Sequence, residues 1–250
     1  MPPGTNPAGM LDCVRRRAGA IAAVVVVLSV ASPTAAQSAA PPLLMPAWAV
    51  DLPPTTTQVV RTVRTDLWCP DVWCTRTEAW ARVDGRWRPA SGPTGRPAVF
   101  RSAIGPHGFD KQREGDRRTP SGVYRIVVTT STGDTAPGRM PWRRRLPTSV
   151  ISESPGPDYN TWLEIPAVTT GDRPSMRYGF LVDYNHPRLT PGLGPAPVPD
   201  VGSGIFFHTA APGHEFDPTL GCVGVGIPDQ MRWIDQWLDP TADPRVVLDR

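Results

Sequence analysis

The sequence contains almost no lysine and only a few histidines and cysteines. Lys111 is the single lysine among 26 basic residues, and the 250-residue chain has four histidines and four cysteines. The formal net charge is +3, and no basic segment is interleaved with aromatic residues. These features exclude the charge pattern of a nucleic-acid-binding protein, so we expect no nucleic-acid partner.

The sequence also lacks an apolar run long enough to cross a bilayer. The run over residues 18–31 is about 14 residues long, whereas a spanning helix needs roughly 20. Three arginines precede it at residues 15–17, and small residues follow at 34–36. This order is typical of a secretory signal peptide, and an uncleaved N-terminal anchor is the alternative. We therefore predict an exported protein that lies outside the cytoplasmic membrane or peripheral to it.

Three regions differ in composition. Residues 1–36 form the predicted signal peptide, and residues 37–56 form a Pro/Ala-rich lead-in without sustained periodicity. Residues 57–250 alternate short β-rich runs with proline and glycine, which predicts a single, mainly β domain. The predicted strands cover residues 58–64, 76–83, 97–101, 122–129, 161–165, 178–183, 204–208 and 246–248, and the predicted loops cover 133–145 and 191–199.

One segment near the C-terminus has a helical pattern instead. After Pro228, apolar residues recur at spacings of three and four, at Met231, Ile234, Trp237 and Leu238. This pattern predicts one short amphipathic helix that begins at the proline. Since it directly follows the strand of Cys222, we expect the helix to pack behind that strand.

The four cysteines fall into three groups. Cys13 lies in the predicted signal peptide, whereas Cys69 and Cys74 enclose the short segment Pro-Asp-Val-Trp. We expect a disulfide between Cys69 and Cys74 in an oxidising compartment, with two unpaired thiols as the alternative. If that pair closes, Cys222 is left odd. An odd cysteine in an exported protein indicates either a reactive thiol or an intermolecular bridge.

Cys222 follows His208 by 14 residues, and His208 ends an apolar strand. A strand, a loop and a returning strand can bring the two side chains together. A neighbouring imidazole lowers a thiol pKa that otherwise lies near about 8.5, as nucleophilic catalysis requires. Gly221 leaves room for backbone amides to face a developing oxyanion. Spacing alone leaves two alternatives: a cysteine and a histidine that never meet, and zinc bound by His208, His214 and Cys222.

The segment from His208 to Val225 resembles the active-site signature of the L,D-transpeptidase catalytic-domain family, in which a histidine precedes a Ser/Thr-x-Gly-Cys turn. Further motifs resemble that family in the same order, namely Lys111, Glu114-Gly115-Asp116, Thr119-Pro120-Ser121-Gly122, Tyr159-Asn160 and Asp183-Tyr184-Asn185. The resemblance spans residues 76–250. It implies a largely β catalytic domain that acts on peptidoglycan stem peptides in the cell wall or periplasm.

The resemblance also implies roles for particular residues. Cys222 would attack the carbonyl of the third stem-peptide residue, usually diaminopimelate, and His208 would serve as base and then as acid for the leaving D-alanine. Gly221, Thr219 and Phe207 would border the oxyanion or the substrate. The resulting thioester would pass to the amine of a second stem, and the family chemistry requires no cofactor or metal.

Two positions depart from the better-known family pattern. Many members have Ser-His-Gly-Cys followed by a hydrophobic residue and arginine, whereas this chain has Thr219-Leu220 before Gly221 and Gly224 in place of the arginine. A branch with Thr-x-Gly-Cys and a small residue two places after the cysteine is closer. Loss of the arginine removes a cation that could hold a substrate carboxylate. A carboxypeptidase that transfers the acyl group to water and a wall-binding module with a degenerate site therefore stay open.

Overall fold

The computed structural model describes residues 45–168 and 173–250. The predicted signal peptide, residues 1–36, and the first part of the predicted lead-in lie outside the described residues. Within the described part of the chain, no helix has the length and apolar character needed to cross a membrane.

The described residues form a mainly β domain with one α-helix. Three 3-10 turns lie at Ala47–Ala49, Pro174–Met176 and Pro240–Ala242. The helix α1 spans Pro228–Trp237. The strands are β1 Gln58–Arg64, β2 Cys74–Val83, β3 Arg86–Pro89, β4 Val99–Ala103, β5 Gly122–Ser131, β6 Trp142–Arg144, β7 Ser149–Ile151, β8 Trp162–Glu164, β9 Tyr178–Val182, β10 Phe206–Thr209, β11 Val223–Val225 and β12 Arg245–Asp249.

Eight of these strands close into a ring. The order is β1-β12-β5-β9-β10-β11-β4-β2, and β2 pairs again with β1. Strand β3 extends from β2, β6 pairs with β5, and β7 pairs separately with β8. Pairing is parallel between β10 and β11, so these two short strands run side by side in the same direction.

The central strands are apolar on both faces because both faces are covered. Along β9, Phe180 and Val182 join the main core, whereas Leu181 between them joins a smaller cluster with Phe206 and Trp162. Side chains alternate between faces along a strand, so this continuous apolar run serves two clusters. The smaller cluster also contacts Cys222 and lies on the face that carries the candidate site.

Helix α1 packs behind that face, as its pattern predicts. It begins at Pro228, whose fixed φ suits a first helical position. Met231, Ile234 and Leu238 are fully buried, and the helix contacts β9, β10 and β11. The sequence prediction of one short C-terminal helix is therefore confirmed.

Several short elements differ from the sequence predictions. Strands β3, β6 and β7 were not predicted, and β6 lies inside the predicted loop 133–145. Each has only three or four residues, too few for the alternating pattern to identify a strand. Part of the predicted lead-in is also packed on the sheet, because the Trp48 ring lies 5.3 Å from Trp80 and 5.4 Å from Trp87.

The predicted disulfide is present. Cys69 and Cys74 are bonded, with their Cα atoms 5.9 Å apart. Within the described part of the chain, Cys222 is therefore the free cysteine. This agrees with the prediction that Cys222 is left odd when Cys69 and Cys74 form a disulfide.

Candidate active site

A cleft of about 740 Å³ lies over β10 and the turn that precedes β11. His208 and Cys222 both line it, so the strand-loop-strand arrangement brings the two side chains into one cavity. Other residues that line it include Lys111, Glu114, Arg145, Ser149, Arg173, Ser175, Gly204, Phe206, His214, Thr219, Leu220 and Gly224.

Strand register explains why His208 and Cys222 share a face. In the parallel pair, Phe207 lies opposite Val223 and His208 lies opposite Gly224. Alternation then places Phe206, His208, Cys222 and Gly224 on the cleft face. Phe207 points the other way, where it is fully buried and stacked on Phe180 with ring centroids 4.7 Å apart. We therefore assign the Phe207 side chain to packing rather than to substrate contact.

Glycines flank His208 on both neighbouring strands. Gly179 pairs with His208 from β9, and a Cβ at that position would lie 2.3 Å from the backbone oxygen of Phe207, so only glycine fits. A Cβ at Gly224 would lie 3.9 Å from Cε1 of His208. A longer side chain at position 224 would occupy the space beside the imidazole, and glycine leaves that space open.

The hydrogen bond of His208 fixes its tautomer. Nδ1 lies 2.8 Å from the backbone oxygen of Thr209. Because a carbonyl oxygen only accepts, Nδ1 carries the proton and Nε2 of the neutral ring is left with the lone pair. Burial lowers the pKa of His208, and the positive charge of Arg145 lowers it further, while the backbone oxygen of Thr209 and the backbone of Ser175 oppose the shift. His208 is therefore a neutral base at neutral pH.

The thiol of Cys222 is held by the backbone that leads into β10. Sγ donates to the oxygen of Gly204 at 3.5 Å and accepts from the N–H of Phe206 at 3.4 Å. Burial raises the pKa of Cys222 to about 11, although the Phe206 N–H and the charge of Lys111 act in the opposite direction. The sequence predicts a lowered thiol pKa, whereas the folded structure favours a neutral thiol and a neutral imidazole in the same cleft, because burial disfavours both charges.

The turn before Cys222 is stabilised by the hydroxyl of Thr219. This hydroxyl donates to the oxygen of Cys222 at 2.6 Å and accepts from the N–H of Gly221 at 3.1 Å. Gly221 has a φ of +136°, and a Cβ there would lie 2.8 Å from the oxygen of Arg118, so the turn requires glycine. Thr219 thus braces the turn internally, and Leu220 at its tip is 76% exposed.

The segment from Lys111 to Gly122 is hydrogen-bonded to the turn that precedes Cys222. The hydroxyl of Thr119 donates to the oxygen of Gly221 at 2.9 Å and accepts from the N–H of Gly105 at 3.1 Å. Lys111 and Asp116 form a buried ion pair at 3.0 Å. The sequence does not indicate that Thr119 supports this turn, because Gly221, which accepts its hydrogen bond, lies 102 positions away.

Asp116 holds the segment in a tight loop. Burial alone would raise the pKa of this carboxyl, but the backbone N–H groups of Gln112, Arg118 and Arg113 and the ammonium of Lys111 lower it to about 2. The carboxylate is therefore ionised across the working pH range, and the motif acts as a scaffold whose Lys111 and Glu114 reach the cleft.

Two further motifs fasten the chain that enters β10. Asn160 accepts from the N–H of Gly204 at 2.9 Å, and Gly204 in turn accepts from the Cys222 thiol. Asn185 donates to the oxygen of Gly202 at 2.8 Å. Glu114 accepts from the hydroxyl groups of Tyr159 and Ser203 at 2.8 and 2.7 Å. These residues position the nucleophile through the backbone and do not need to contact a substrate.

The third zinc-ligand candidate has another partner. His214 lies on the rim of the cleft, and its Nδ1 is 2.7 Å from a carboxylate oxygen of Asp217. Among the described residues, the one group of donor atoms close enough to hold a metal is Cys69, Asp71 and Cys74. The sulfur atoms of Cys69 and Cys74 are joined in the disulfide. Because they are not free thiolates, the group does not fit a metal ion.

Comparison with known families gives one match. The model of the YkuD family, the L,D-transpeptidase catalytic domain, matches residues 82–247, a range that includes β4 to β11 and both His208 and Cys222. No curated protein matches the chain. The family match covers well over half of the chain, in agreement with the resemblance that its motifs carry.

Proposed function

Since the chain belongs to the L,D-transpeptidase catalytic-domain family, we propose that it is an exported transpeptidase that joins peptidoglycan stem peptides through a Cys222 thioester. The observation that carries this proposal is that one cleft holds both a free thiol and a neutral imidazole whose Nδ1 is bonded to the backbone oxygen of Thr209. A thiol and a base in one cleft are the minimum that acyl transfer through a thioester requires.

The first half-reaction begins from neutral partners. His208 Nε2 takes the thiol proton as Sγ of Cys222 attacks the carbonyl carbon of the third stem residue, usually diaminopimelate. The carbonyl oxygen becomes an oxyanion, which the backbone N–H of Cys222 stabilises. The N–H of Gly221 already donates to the hydroxyl of Thr219. The C–N bond then breaks, His208 returns the proton to the leaving nitrogen, and D-alanine departs from a thioester.

The second half-reaction reverses these roles. His208 accepts a proton from the side-chain amine of a second stem as the amine attacks the thioester carbon. The C–S bond breaks, the thiol of Cys222 regains a proton, and a new amide links two stems. The peptide bond of the donor supplies the driving force, so the sequence of steps uses no nucleotide and no cofactor.

D-Alanine release from tetrapeptide-stem muropeptides tests this function. We expect the wild-type chain to release D-alanine and to yield a product with the mass of two joined stems. Cys222→Ala removes the nucleophile and should abolish both signals, whereas Leu220→Ala, at the exposed tip of the same turn, should retain the thioester chemistry. A free tripeptide instead of a joined product would identify a carboxypeptidase, and no release would indicate a wall-binding module.

A further inference from the structure

Three tryptophan rings from separate segments form a cluster outside the cleft. The centroid of the Trp48 ring lies 5.3 Å from that of Trp80 on β2 and 5.4 Å from that of Trp87 on β3. The guanidinium of Arg61 lies 5.8 Å from the centroid of the Trp48 ring. All three tryptophans are only partly buried, so each remains accessible to solvent. We call Trp48, Trp80 and Trp87 the tryptophan cluster.

The tryptophan cluster lies on the same face of the sheet as the cleft, at a distance from it. Trp80 is six positions after Cys74 on β2, and Cys74 is level with Gly224 because both pair with Ala103. Alternation therefore places Trp80 and Gly224 on one face. At about 3.4 Å per residue along a strand and about 4.8 Å between strands, roughly 20 Å separates the two positions. None of the three tryptophans lines the cleft.

The charged side chains beside Trp80 are paired with one another. The indole N–H of Trp80 donates to Glu78 at 2.9 Å, and Glu78 also accepts from Arg61 at 3.2 Å and from Arg76 at 2.6 Å. Arg61 forms a second ion pair, with Asp249, at 2.6 Å. The two guanidinium charges and the two carboxylate charges in this group therefore offset each other.

Arg82, a further cation beside the tryptophan cluster, is also bonded within the chain. It lies opposite Trp87 in the pairing of β2 with β3, and its guanidinium donates to the backbone oxygens of Gly85 and Pro54. A polyanion or an anionic lipid surface is attracted by an excess of free cations. The tryptophan cluster, with its paired charges, therefore suits an uncharged ligand.

An uncharged ligand for this surface needs both apolar faces and hydroxyl groups. Aromatic rings bind apolar groups on their faces, and a pyranose sugar presents C–H groups on the faces of its ring. Guanidinium groups donate hydrogen bonds and carboxylates accept them, so Arg61, Arg76 and Glu78 offer partners for the hydroxyl groups at the edge of the sugar. A polysaccharide meets both requirements.

We propose that the tryptophan cluster binds a neutral polysaccharide of N-acetylated hexosamines, the class of polymer that forms the glycan strands of peptidoglycan. The inference goes beyond the proposed function, because it assigns a second binding site outside the cleft, and it rests on that function only for the identity of the sugar. The tryptophan cluster holds the protein on the polymer, while the cleft is left free for a stem peptide.

Binding of a soluble N-acetylglucosamine hexamer to the full chain tests this inference by calorimetry. We expect saturable binding by the wild-type chain. Trp87→Ala should lower the affinity about 2- to 10-fold, the range for one aromatic contact. Trp87→Phe keeps a ring at this position and should retain most of the affinity. D-Alanine release from a soluble muropeptide should be unchanged in Trp87→Ala, because Trp87 does not line the cleft.

Trp142 provides the matched control. It is also partly buried, but it lies on β6 and its indole N–H bonds to the hydroxyl of Ser131 at 3.0 Å. Trp142→Ala should therefore keep the wild-type affinity for the hexamer. Tryptophan emission gives a second readout if Trp87→Ala proves unstable: the hexamer should change the emission of the wild-type chain, and this change should be smaller in Trp87→Phe.

Three results would overturn the inference. The first is no saturable binding of the hexamer by the wild-type chain, and the second is an equal loss of affinity in Trp87→Ala and Trp142→Ala. The third is binding of poly(glycerol phosphate) or of anionic phospholipid vesicles in place of the hexamer, which would identify a charged partner. Because none of these measurements involves turnover, failure of the proposed function would appear separately, as absence of D-alanine release.

Discussion

The hydroxyl of Thr119 donates a hydrogen bond to the backbone oxygen of Gly221 at 2.9 Å, across 102 positions of sequence. The same hydroxyl accepts from the N–H of Gly105, so one buried side chain ties the nucleophile turn to the end of β4. Gly221 lies immediately before Cys222, and its φ of +136° is a backbone conformation that residues with a side chain rarely adopt. This turn is therefore supported by Thr119, outside the thiol motif, as well as by Thr219 within it.

Replacing Thr119 with valine should destabilise the protein and reduce turnover. The shape is nearly conserved, but the N–H of Gly105 and the oxygen of Gly221 lose their partner in a buried site, which costs about 2 to 4 kcal/mol in free energy of unfolding. Urea denaturation and D-alanine release would measure the two effects. Thr130 is the matched control, because its hydroxyl is buried without a partner among the described residues. Thr130→Val should be neutral or stabilising, and an equal loss in both variants would contradict the account.

Cys222 should react with iodoacetamide as a neutral, partly buried thiol. Burial raises its pKa to about 11, so the alkylation rate should keep rising above pH 9, because only the thiolate reacts. A Cys13→Ser background leaves Cys222 as the free thiol, since Cys69 and Cys74 are bonded. Mass spectrometry of the labelled chain measures the rate at each pH. A plateau below pH 8 would mean that His208 forms an ion pair with the thiolate before substrate binds.

Asp235 in α1 should make the protein less stable as pH rises from about 4. It is fully buried, and neither carboxyl oxygen has a hydrogen-bond partner of normal geometry among the described residues, although the backbone of Gly179 lies close. Burial raises the pKa of Asp235 well above its usual value of 3.8. A group with a raised pKa stabilises the fold fully below the unfolded-state pKa, and this contribution is lost as pH increases, by up to about 1.4 kcal/mol per pH unit.

Urea denaturation of Asp235→Asn at several pH values checks this sign. The amide does not titrate, so the free energy of unfolding of the variant, relative to wild type, should increase from pH 4 toward pH 7. Asp229→Asn, at an exposed position in the first turn of the same helix, should show no such slope. A pH-independent difference for Asp235→Asn would contradict the prediction.

The Cys69–Cys74 disulfide should contribute modestly to stability. The closed loop has few residues, and the loop-entropy model gives about 2 kcal/mol for a loop of this size. Trp68, the residue before Cys69, packs on Phe216 with ring centroids 5.0 Å apart, so the residue next to the loop contacts the segment between His208 and Cys222. The double variant Cys69→Ser/Cys74→Ser should lose about this much free energy of unfolding and keep D-alanine release at low temperature. Loss of release without loss of stability would give the disulfide a direct role in the site.

The sequence predicted the parts of the fold whose patterns are local. Helix α1 followed from Pro228 and the spacing of Met231, Ile234 and Leu238, and the longer strands followed from their apolar runs between turn residues. The sequence does not predict that β1 pairs with both β2 and β12 and so closes the ring of strands. Pairing between distant strands depends on packing across the whole domain, and a single sequence carries no record of it.

The sequence named His208 and Cys222 as candidates, and the roles of both stay predictions, but it did not indicate the electrostatics of the cleft. The strand-loop-strand pattern and the family signature predict that His208 and Cys222 lie in one site, and both line one cleft. The raised pKa of Cys222, in contrast, depends on burial that only the folded structure reveals. Phe207 shows the same limit. It neighbours His208 in sequence, but the alternation of β10 places its ring in the core, against Phe180.

Trapping the acyl-enzyme tests the central claim most directly. The wild-type chain would be mixed with a tetrapeptide-stem muropeptide whose side-chain amine is acetylated, so that no amine acceptor is present, then quenched in acid and analysed by intact mass and peptide mapping. The account predicts an adduct equal to the donor minus D-alanine, located on Cys222, absent from Cys222→Ala and strongly reduced in His208→Ala. D-Alanine release with no adduct on Cys222, or release that persists in Cys222→Ala, would contradict it.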